Sequence, residues 1–371
     1  MEKIKIGDAC DILNGYAFKS DEYVNEGIRI IRIANVQKGY IEDDAPAFYP
    51  MNSIGLNKYM LKENDLLMSL TGNVGRVALL QKEMLPAALN QRVACLRLKT
   101  DKLIKRYLFH ILNSNFFERQ CIQASKGVAQ KNMSTEWLKD YEIPLYSIEK
   151  QLEIIEVLDK TRNVISLRKD ELSALDDLIK ARFVELTEEI ETASTRMGDI
   201  ATYLNGYAFK PTQWEETGLP IIRIQNLNDK NAPYNYFSGS LADRYFVQNG
   251  DVLVSWATHL EAYIWKGQDA WLNQHIFKVV FDKMEVDKIY FVYACEEALR
   301  QAFRNAHGFK PTMEHIKKAD FDNAIVKLPK IEVQEQFADF VNQVDKSKVA
   351  VQKALDETQK LFDSLMQQYF G

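Results

Sequence analysis

The segment SLTGNVGR, which runs from Ser69 to Arg76, combines residue types that can contact a phosphate group. Ser69 and Thr71 offer hydroxyls, Arg76 offers a cation, and two glycines let a ligand approach the backbone amides closely. This combination predicts an anion-contacting loop, and a glycine hairpin turn is the alternative. The related segment SWATHLEAYIW, which begins at Ser255, lacks both glycines, so the same loop chemistry is not expected there.

The sequence lacks the motifs of common catalytic and cofactor sites. The string NAPY, from Asn231 to Tyr234, has one proline fewer than the N-P-P-Y motif of amino-methyltransferases, and no glycine-rich cofactor loop precedes it. No G-x-x-x-x-G-K-[ST] segment is present for ATP, and no G-x-S-x-G elbow supports a serine nucleophile. The histidines show no H-E-x-x-H or other ligand spacing with the cysteines. We therefore expect a non-catalytic chain without a metal or cofactor of its own.

At 371 residues and 46% hydrophobic content, the chain is long enough for two or three domains with substantial cores. Its first residues, MEKIKIGDACDIL, lack the apolar core of a secretion signal, and no stretch approaches the roughly 18 apolar residues of a membrane span. We therefore expect a soluble, cytoplasmic protein. The cysteines form no C-x-x-C pair and are expected to be reduced, mostly buried thiols: Cys10, Cys95, Cys121 and Cys295.

The formal net charge of -5 argues against a protein that holds nucleic acid by bulk attraction to phosphates alone. Local clustering can compensate for it. Between Arg92 and Lys131 the basic residues outnumber the acids: Arg97, Lys99, Lys102, Lys105, Arg106, Arg119 and Lys126. This run predicts a basic surface, and a solvated helix face is the alternative.

The chain contains one long internal repeat. GDACDILNGYAFK, from Gly7 to Lys19, returns as GDIATYLNGYAFK from Gly198 to Lys210, and IIRIAN returns as IIRIQN at the same offset. NDLLMS then matches GDVLVS, LNQ occurs in both halves, and IPLYSIEKQ matches LPKIEVQEQ in the same order. Solenoid repeats have periods of about 20 to 50 residues, and this period is several times longer. Each copy should therefore be a folded domain.

Both copies have the same internal plan. Short β-type runs such as IRIIRIANV, DLLMSL and QRVACLRL lie between turn residues and predict a small mixed sheet domain. A helical segment follows at residues 103–124 and again at residues 288–305. After Pro144 and Pro329, residues 148–189 and 333–369 lack proline and glycine and have apolar residues at helical spacing. We therefore expect a long helix in each copy.

A helix of about forty residues would be roughly 60 Å long, which exceeds the width of a small domain. Each long helix should therefore pack against a partner, and its counterpart in the other copy is the expected one. Antiparallel packing would place the two domains at opposite ends, related by a pseudo two-fold axis; the alternative is that each helix folds back on its own domain. The stripe residues that mark these helices as partner-binding are Leu172, Leu175, Ile179, Leu355, Phe362 and Leu365.

This ordered set of motifs resembles the specificity (S) subunits of Type I restriction-modification systems over essentially the whole chain. The resemblance is carried by the two GYAFK segments, the R-I-x-N segments, NDLLMSLTGNVGR, LNQ in both halves and the two E-x-Q entries into long helices. It implies an α+β protein in which two similar mixed α/β target recognition domains, residues 1–146 and 193–330, are joined by two long antiparallel helices, residues 147–192 and 331–371.

The resemblance also implies function and partners. Each domain of such a subunit reads one half of an asymmetric bipartite DNA site, and the helices set the gap between the halves. The implied partners are two methylation subunits, which bind S-adenosylmethionine and modify adenine, and restriction subunits, which use ATP and Mg²⁺ and cut DNA. Two other classes remain open: a scaffold that bridges methyltransferase subunits without reading sequence, and a DNA-modifying enzyme with unrecognisable motifs.

Half-sites of different sequence should be read by residues that differ between the copies. Identical residues are therefore expected to be structural, as in Tyr16, Phe18 and Lys19, their copies Tyr207, Phe209 and Lys210, and both LNQ segments. The candidates for DNA binding lie in diverged polar stretches, because Gln and Asn can pair with adenine and Lys with guanine. They are Ser125, Lys126, Gln130, Lys131 and Asn132 in the first copy, and His307, Lys310, Thr312 and His315 in the second.

Overall fold

The computed structural model describes residues 2–125, 133–189, 192–229, 231–257, 260–307 and 316–371, with backbone only at residues 189 and 303–307. These residues form two compact units. The first unit is Met1–Lys169 with Lys353–Gly371, and the second is Asp170–Gln352. Each unit therefore contains one copy of the internal repeat.

The first unit is built from short strands and helices in alternation. Its strands are β1 (Glu2–Lys5), β2 (Cys10–Asn14), β3 (Ile28–Ile31), β4 (Phe48–Tyr49), β5 (Leu66–Ser69), β6 (Val77–Leu79), β7 (Ala87–Leu89), β8 (Val93–Leu98) and β9 (Glu142–Leu145). Its helices are α1 (Ile6–Ala9), α2 (Lys105–Leu112), α3 (Asn115–Ala124), α4 (Thr135–Asp140), the first part of the long helix α5 (Ile148–Glu189) and the last part of the long helix α10 (Ile331–Phe370).

The helical segment predicted at residues 103–124 is two helices rather than one. Ser114 separates α2 from α3, because its hydroxyl accepts a hydrogen bond from the backbone N–H of Phe117 at 3.1 Å and so caps α3. In the second unit the corresponding segment is a single helix.

Three sheets organise the first unit. Antiparallel strands form a four-stranded sheet in the order β2-β8-β5-β6, and β1 pairs with β9. The third sheet has the order β4-β3-β7, in which β3 and β7 are parallel. Leu66 and Met68 of β5 share one buried core with Tyr107 of α2 and Phe117 of α3. The apolar runs predicted to be strands are thus buried between the helices and a second layer of sheet.

The second unit repeats this plan. Its strands are β10 (Ala193–Arg196), β11 (Thr202–Asn205), β12 (Leu219–Ile222), β13 (Asn235–Phe237), β14 (Phe246–Val247), β15 (Val252–Ser255), β16 (Ala262–Ile264), β17 (Ala270–Leu272), β18 (Ile276–Val280) and β19 (Ile325–Leu328). Its helices are α6 (Met197–Ile200), α7 (Ile224–Asn228), α8 (Lys288–His307), α9 (Lys318–Asn323), the second part of α5, and the first part of the long helix α10 (Ile331–Phe370).

Strand order confirms the internal duplication. In the second unit the four-stranded sheet has the order β11-β18-β15-β16, and β10 pairs with β19, which matches the first unit strand for strand. The other sheet has the order β13-β12-β17-β14, with β12 and β17 parallel. The predicted fold class, two mixed α/β domains with two long helices, is therefore confirmed.

The repeated GYAFK segment has a structural reason. A Cβ atom on Gly15 would lie 2.2 Å from the carbonyl of Asn90, and one on Gly206 would lie 2.1 Å from that of Asn273, so only glycine fits. The following tyrosine forms a parallel bridge to the same asparagine in each unit. The GYAFK and LNQ segments thus hold each other, in agreement with the structural role that their identity predicts.

The asparagine of R-I-x-N is also structural. Asn35 and Asn226 are buried, and each accepts a hydrogen bond through Oδ1 from the backbone N–H three residues earlier, at 2.9 and 3.1 Å. The amide of Asn226 also donates to Ala232 O and Pro233 O at 3.2 Å. Asn226 thus holds the backbone of the NAPY string at Ala232 and Pro233.

Both long helices were predicted correctly and run antiparallel. In the second unit, Lys348 of α10 forms an ion pair of 2.6 Å with Asp176 of α5, and Phe183 lies near Phe337, with ring centroids 5.6 Å apart. As the residue number rises along α5 it falls along α10, so the helices are antiparallel. Phe183 also contacts Tyr290 of α8, so the helices pack on the domain as well as on each other.

The side chains of the predicted partner-binding stripes are largely occupied within the units. Ile179 is buried in the core of the second unit and Leu175 packs against it. Leu355 is buried, and Phe362 and Leu365 pack against the core of the first unit. Leu172 is partly exposed, and partner binding by these helices stays a prediction.

The first unit also holds α5 by a charged network. Arg106 of α2 donates to both carboxylate oxygens of Asp159, and His110 Nε2 lies 2.8 Å from Asp159 Oδ1. Burial lowers the pKa of His110. Burial also disfavours the charged form of Asp159, but hydrogen bonds from His110 and Arg106 outweigh it and hold the pKa of that carboxyl well below its usual range. An ion pair therefore joins α2 of the first unit to the long helix α5, in addition to apolar contacts.

The four cysteines are free and buried, as predicted from their spacing. No helix in the described part of the chain has the length and apolar character needed to cross a membrane.

Candidate nucleic-acid interface

Three separate segments meet at one end of the four-stranded sheet in the first unit. The Leu70 N–H donates to Arg92 O at 3.0 Å, and the Met133 N–H donates to Leu70 O at 2.8 Å. These bonds join the loop after β5 to the turn before β8 and to the residue that follows the predicted DNA-binding segment. We call this surface the first loop edge, defined by residues 70–76, 90–92 and 133.

The predicted phosphate loop is a hairpin turn between β5 and β6. Gly72 and Gly75 have φ angles of +68° and +81°, which favour glycine, and a Cβ on Gly75 would lie 2.8 Å from the Sγ of Cys121. Ser69 is fully buried; its hydroxyl donates to Asn73 O and accepts from the Arg76 N–H. The prediction that Ser69 contacts DNA is therefore wrong for the side chain, because its hydroxyl is used inside the turn.

The other two predicted residues of this loop differ in their availability. The side chain of Thr71 is partly exposed on the first loop edge. The guanidinium of Arg76 donates to the side-chain oxygen of Gln37, which holds it beside the turn. Thr71 and Arg76 thus remain candidates for DNA contact, with Arg76 positioned by a neighbour.

The predicted basic run does not form one surface. Arg97 pairs with the buried Asp65 at 2.6 Å, Arg106 pairs with Asp159 at 2.7 Å, and Lys99 lies 3.9 Å from Asp11. Ion pairs inside the unit thus neutralise much of this charge. The first loop edge itself contains Arg76 and Arg92 and, among its described residues, no carboxylate. Its local charge is therefore positive although the chain as a whole is acidic.

The diverged candidates of the first copy precede Met133 in the sequence. Lys126, Gln130, Lys131 and Asn132 lie outside the described residues, but the segment they occupy ends at Met133, which is part of the edge. Ser125 is buried and its hydroxyl donates to Ile122 O at 2.9 Å, so it terminates α3 and is not a base-contacting residue.

The second unit has the same backbone frame. The Trp256 N–H donates to His275 O at 3.4 Å, and the Ile316 N–H donates to Trp256 O at 3.3 Å. We call residues 256–257, 260–261, 273–275 and 316 the second loop edge. Lys310, Thr312 and His315 lie outside the described residues, and His307 is the last residue of α8. The next described residue, Ile316, lies on the second loop edge.

The side chains of the second loop edge differ in kind. The Trp256 ring stacks on Phe277 with centroids 5.9 Å apart, and its Nε1–H donates to Asn205 Oδ1 at 3.2 Å. Glu261 takes the place of Arg76, because its carbonyl accepts the same hydrogen bond from the serine at the end of the strand. The equivalent positions in the first unit are Leu70 and Arg76, so one frame presents an aromatic, partly acidic edge in one unit and a basic edge in the other.

A half-buried carboxyl, that of Glu296, contacts the backbone next to the second loop edge. The Ala262 N–H, at the start of β16, donates to Glu296 Oε1 of α8 at 3.3 Å. Burial, with a smaller contribution from Glu261, raises the pKa of Glu296 to about 7. In the described residues, groups of His, Cys, Asp and Glu that could hold a metal ion are absent.

Arg92 and His275 also lie on the loop edges, although the sequence analysis did not select them as candidates. Both directly follow LNQ, and the signal that could have found them is a difference in residue type at one position beside an identical segment. The hydrogen bonds from Leu70 and Trp256 that place them on the edges join residues about 20 positions apart, which the pattern does not reveal.

Comparison with known proteins gives consistent matches. A family model described as Type I restriction modification DNA specificity domain matches residues 1–176 and 189–359. The MjaVIII specificity subunit of Methanocaldococcus jannaschii is 30% identical over 182 residues, which cover 47% of this chain and 42% of that subunit. The EcoBI specificity subunit of Escherichia coli is 24% identical over 420 residues, covering 99% of this chain and 85% of that subunit. The chain thus matches less than half of the M. jannaschii subunit and most of the E. coli subunit.

Solved structures share the fold. The S subunit of a Type-I restriction-modification system from M. genitalium superposes with a TM-score of 0.54 at 14% identity, covering 100% of this chain and 96% of that chain. A chain from a structure that concerns complex assembly and conformational transition of the type I R-M system gives a TM-score of 0.60 at 16% identity, covering 100% and 97%.

Proposed function

The chain belongs to the Type I restriction modification DNA specificity family, and on that premise we propose that it is the non-catalytic subunit that recognises a bipartite DNA target. Each unit reads one half of the target through its loop edge. The observation that carries this proposal is the pair of loop edges, which share a hydrogen-bonded backbone frame and differ in their side chains. A shared frame presents different residues to the major groove in the same geometry, as two different half-sites require.

We further propose that the long helices recruit two methyltransferase subunits and the restriction subunits. Exposed apolar side chains occur along both helices, and this is the supporting observation: Leu152, Val164, Leu167, Leu178, Val184, Val349 and Leu361. The partners would supply S-adenosylmethionine, ATP and Mg²⁺, and the methyltransferase would flip the adenine out of the duplex before methyl transfer. Such a complex acts on DNA in the cytoplasm, which is the location we propose.

An exchange of recognition domains tests this function. Residues 1–146 are replaced by the corresponding domain of a relative with a different target, and methylated adenines are mapped in cells that express the complete system. We expect one half of the recognised sequence to change and the other half to persist, because each unit has its own core and its own edge. The reciprocal exchange of residues 193–330 should change the other half.

Two outcomes would contradict the proposal. If both half-sites change together, the units do not read independently. If the wild-type complex binds scrambled and cognate duplexes equally well at one salt concentration, the chain is a scaffold rather than a reader of sequence.

A further inference from the structure

We propose that Arg92 in the first unit is a specificity-determining residue that contacts the major-groove edge of one base pair in its half-site, and that His275, at the equivalent position of the second unit, does not supply that contact. The proposal rests on the proposed function, since it assigns base contacts within it. The supporting observation is that the backbone is held in the same way at these two positions, whereas the side chains differ.

The backbone of both residues is held from three sides. The preceding asparagine, Asn90 or Asn273, bridges to the tyrosine of GYAFK. The residue after each position donates back to that asparagine carbonyl, at 2.9 and 3.2 Å. The carbonyls of Arg92 and His275 themselves accept hydrogen bonds from the first residue after β5 and β15. The Cα positions are thus fixed, and a rigid frame is what precise base contact requires.

The Arg92 side chain is exposed and free. No hydrogen bond or ion pair holds its guanidinium among the described residues, whereas Arg76 donates to Gln37 and Arg97 pairs with Asp65. The hydrogen bond from its backbone N–H to Asn90 Oδ1, 3.2 Å long, orients the main chain without using the side chain. Its neighbours on the first loop edge carry no carboxylate that would compete for it.

The chemistry of the two side chains suits different bases. A guanidinium can donate two parallel hydrogen bonds to O6 and N7 of guanine, the most frequent specific contact in the major groove. An imidazole has its two nitrogens on different sides of the ring and cannot donate this parallel pair. His275 is further oriented by the Trp256 ring, at 5.4 Å between centroids, and by the Gln274 amide, 3.2 Å from its Nε2. The first unit should therefore require a guanine at a position where the second unit reads a different pattern.

The test uses the complete complex with its methyltransferase subunits. Arg92→Ala is compared with wild type in competition binding at fixed salt, with duplexes in which each base pair of either half-site is replaced in turn. We expect binding of the cognate duplex to weaken about 10- to 100-fold and the preference at one base pair of the first half-site to disappear. Preferences throughout the second half-site should be unchanged.

Three further variants make the result specific. Arg92→Lys keeps the charge but not the paired donors, so it should retain binding to unrelated duplexes and still lose the preference. His275→Ala, at the equivalent position of the second unit, should leave every preference in the first half-site unchanged. Lys82→Ala removes an exposed cation at the opposite end of β6 and should change neither.

Other results would overturn the inference. A uniform loss of affinity for every duplex in Arg92→Ala, together with a slope of log affinity against log salt concentration that is smaller by about 1, would identify a phosphate contact. Unchanged preferences would show that Arg92 does not contact a base. In both cases wild type would still discriminate cognate from scrambled DNA, and only a wild-type complex that fails to do so would contradict the proposed function itself.

Discussion

Replacement of Gln151 by alanine is expected to lower the free energy of unfolding of the first unit by about 3 to 5 kcal/mol. The fully buried Gln151 amide donates to Lys102 O and Tyr146 O, at 2.8 and 2.9 Å, and its Oε1 accepts from the Ile104 N–H at 2.9 Å. The substitution leaves three buried backbone groups without partners and opens a cavity. Because Gln151 lies in the first turn of α5, this side chain fastens the long helix to the recognition domain.

Urea denaturation of the purified chain measures the loss, and hydrogen exchange at the Ile104 amide reports whether the specific bond is gone. The counterpart Gln334 accepts from the Asp287 N–H and donates to Pro329 O, at 3.1 and 2.9 Å, so Gln334→Ala should destabilise the second unit and expose the Asp287 amide. Gln123→Ala, at an exposed position of α3, is the control and should change stability by less than about 0.5 kcal/mol. A loss below about 1 kcal/mol in Gln151→Ala would contradict this account.

Glu296→Gln is expected to stabilise the second unit at pH 8 by about 2 to 3 kcal/mol and to have little effect at pH 5. The folded pKa of Glu296, about 7, lies above the ordinary glutamate value of 4.5, so folding favours the protonated carboxyl. The wild-type chain therefore loses stability as the pH rises from about 4.5 through 7. The loss is about 1.4 kcal/mol for each unit by which the folded pKa exceeds the unfolded pKa. Glutamine is neutral at every pH and retains an oxygen that can accept the Ala262 N–H.

Urea denaturation at pH 5 and pH 8 checks this prediction. Glu297→Gln is the matched control on the same helix, because the Glu297 carboxylate pairs with Arg300 near the surface, and surface pairs contribute little. It should change stability by less than about 0.5 kcal/mol at either pH. Equal effects of Glu296→Gln on stability at both pH values would contradict a raised pKa of the Glu296 carboxyl.

Some features of this fold could be predicted from sequence because they depend on local or repeated patterns. The bounds of α5 and α10 agree with the predicted helices to within two residues at their start, since helix spacing and the absence of proline and glycine are local properties. The duplication is visible in the sequence because some positions accept only one residue type. Gly15 and Gly206 are examples, since a backbone carbonyl lies too close to each of them for any Cβ atom. Two similar domains and the family could thus be identified from sequence.

Tertiary structure alone decided which polar side chains are available to a ligand. Ser69 and Ser125 have the residue type of a surface contact, but hydrogen bonds within a turn and at a helix end use their hydroxyls. The basic run is divided by ion pairs with acids up to 53 positions away in the sequence, as between Arg106 and Asp159. Conversely, Arg92 reaches the loop edge through a hydrogen bond from Leu70. Burial and pairing depend on contacts between distant segments, and no local pattern of residue types contains that information.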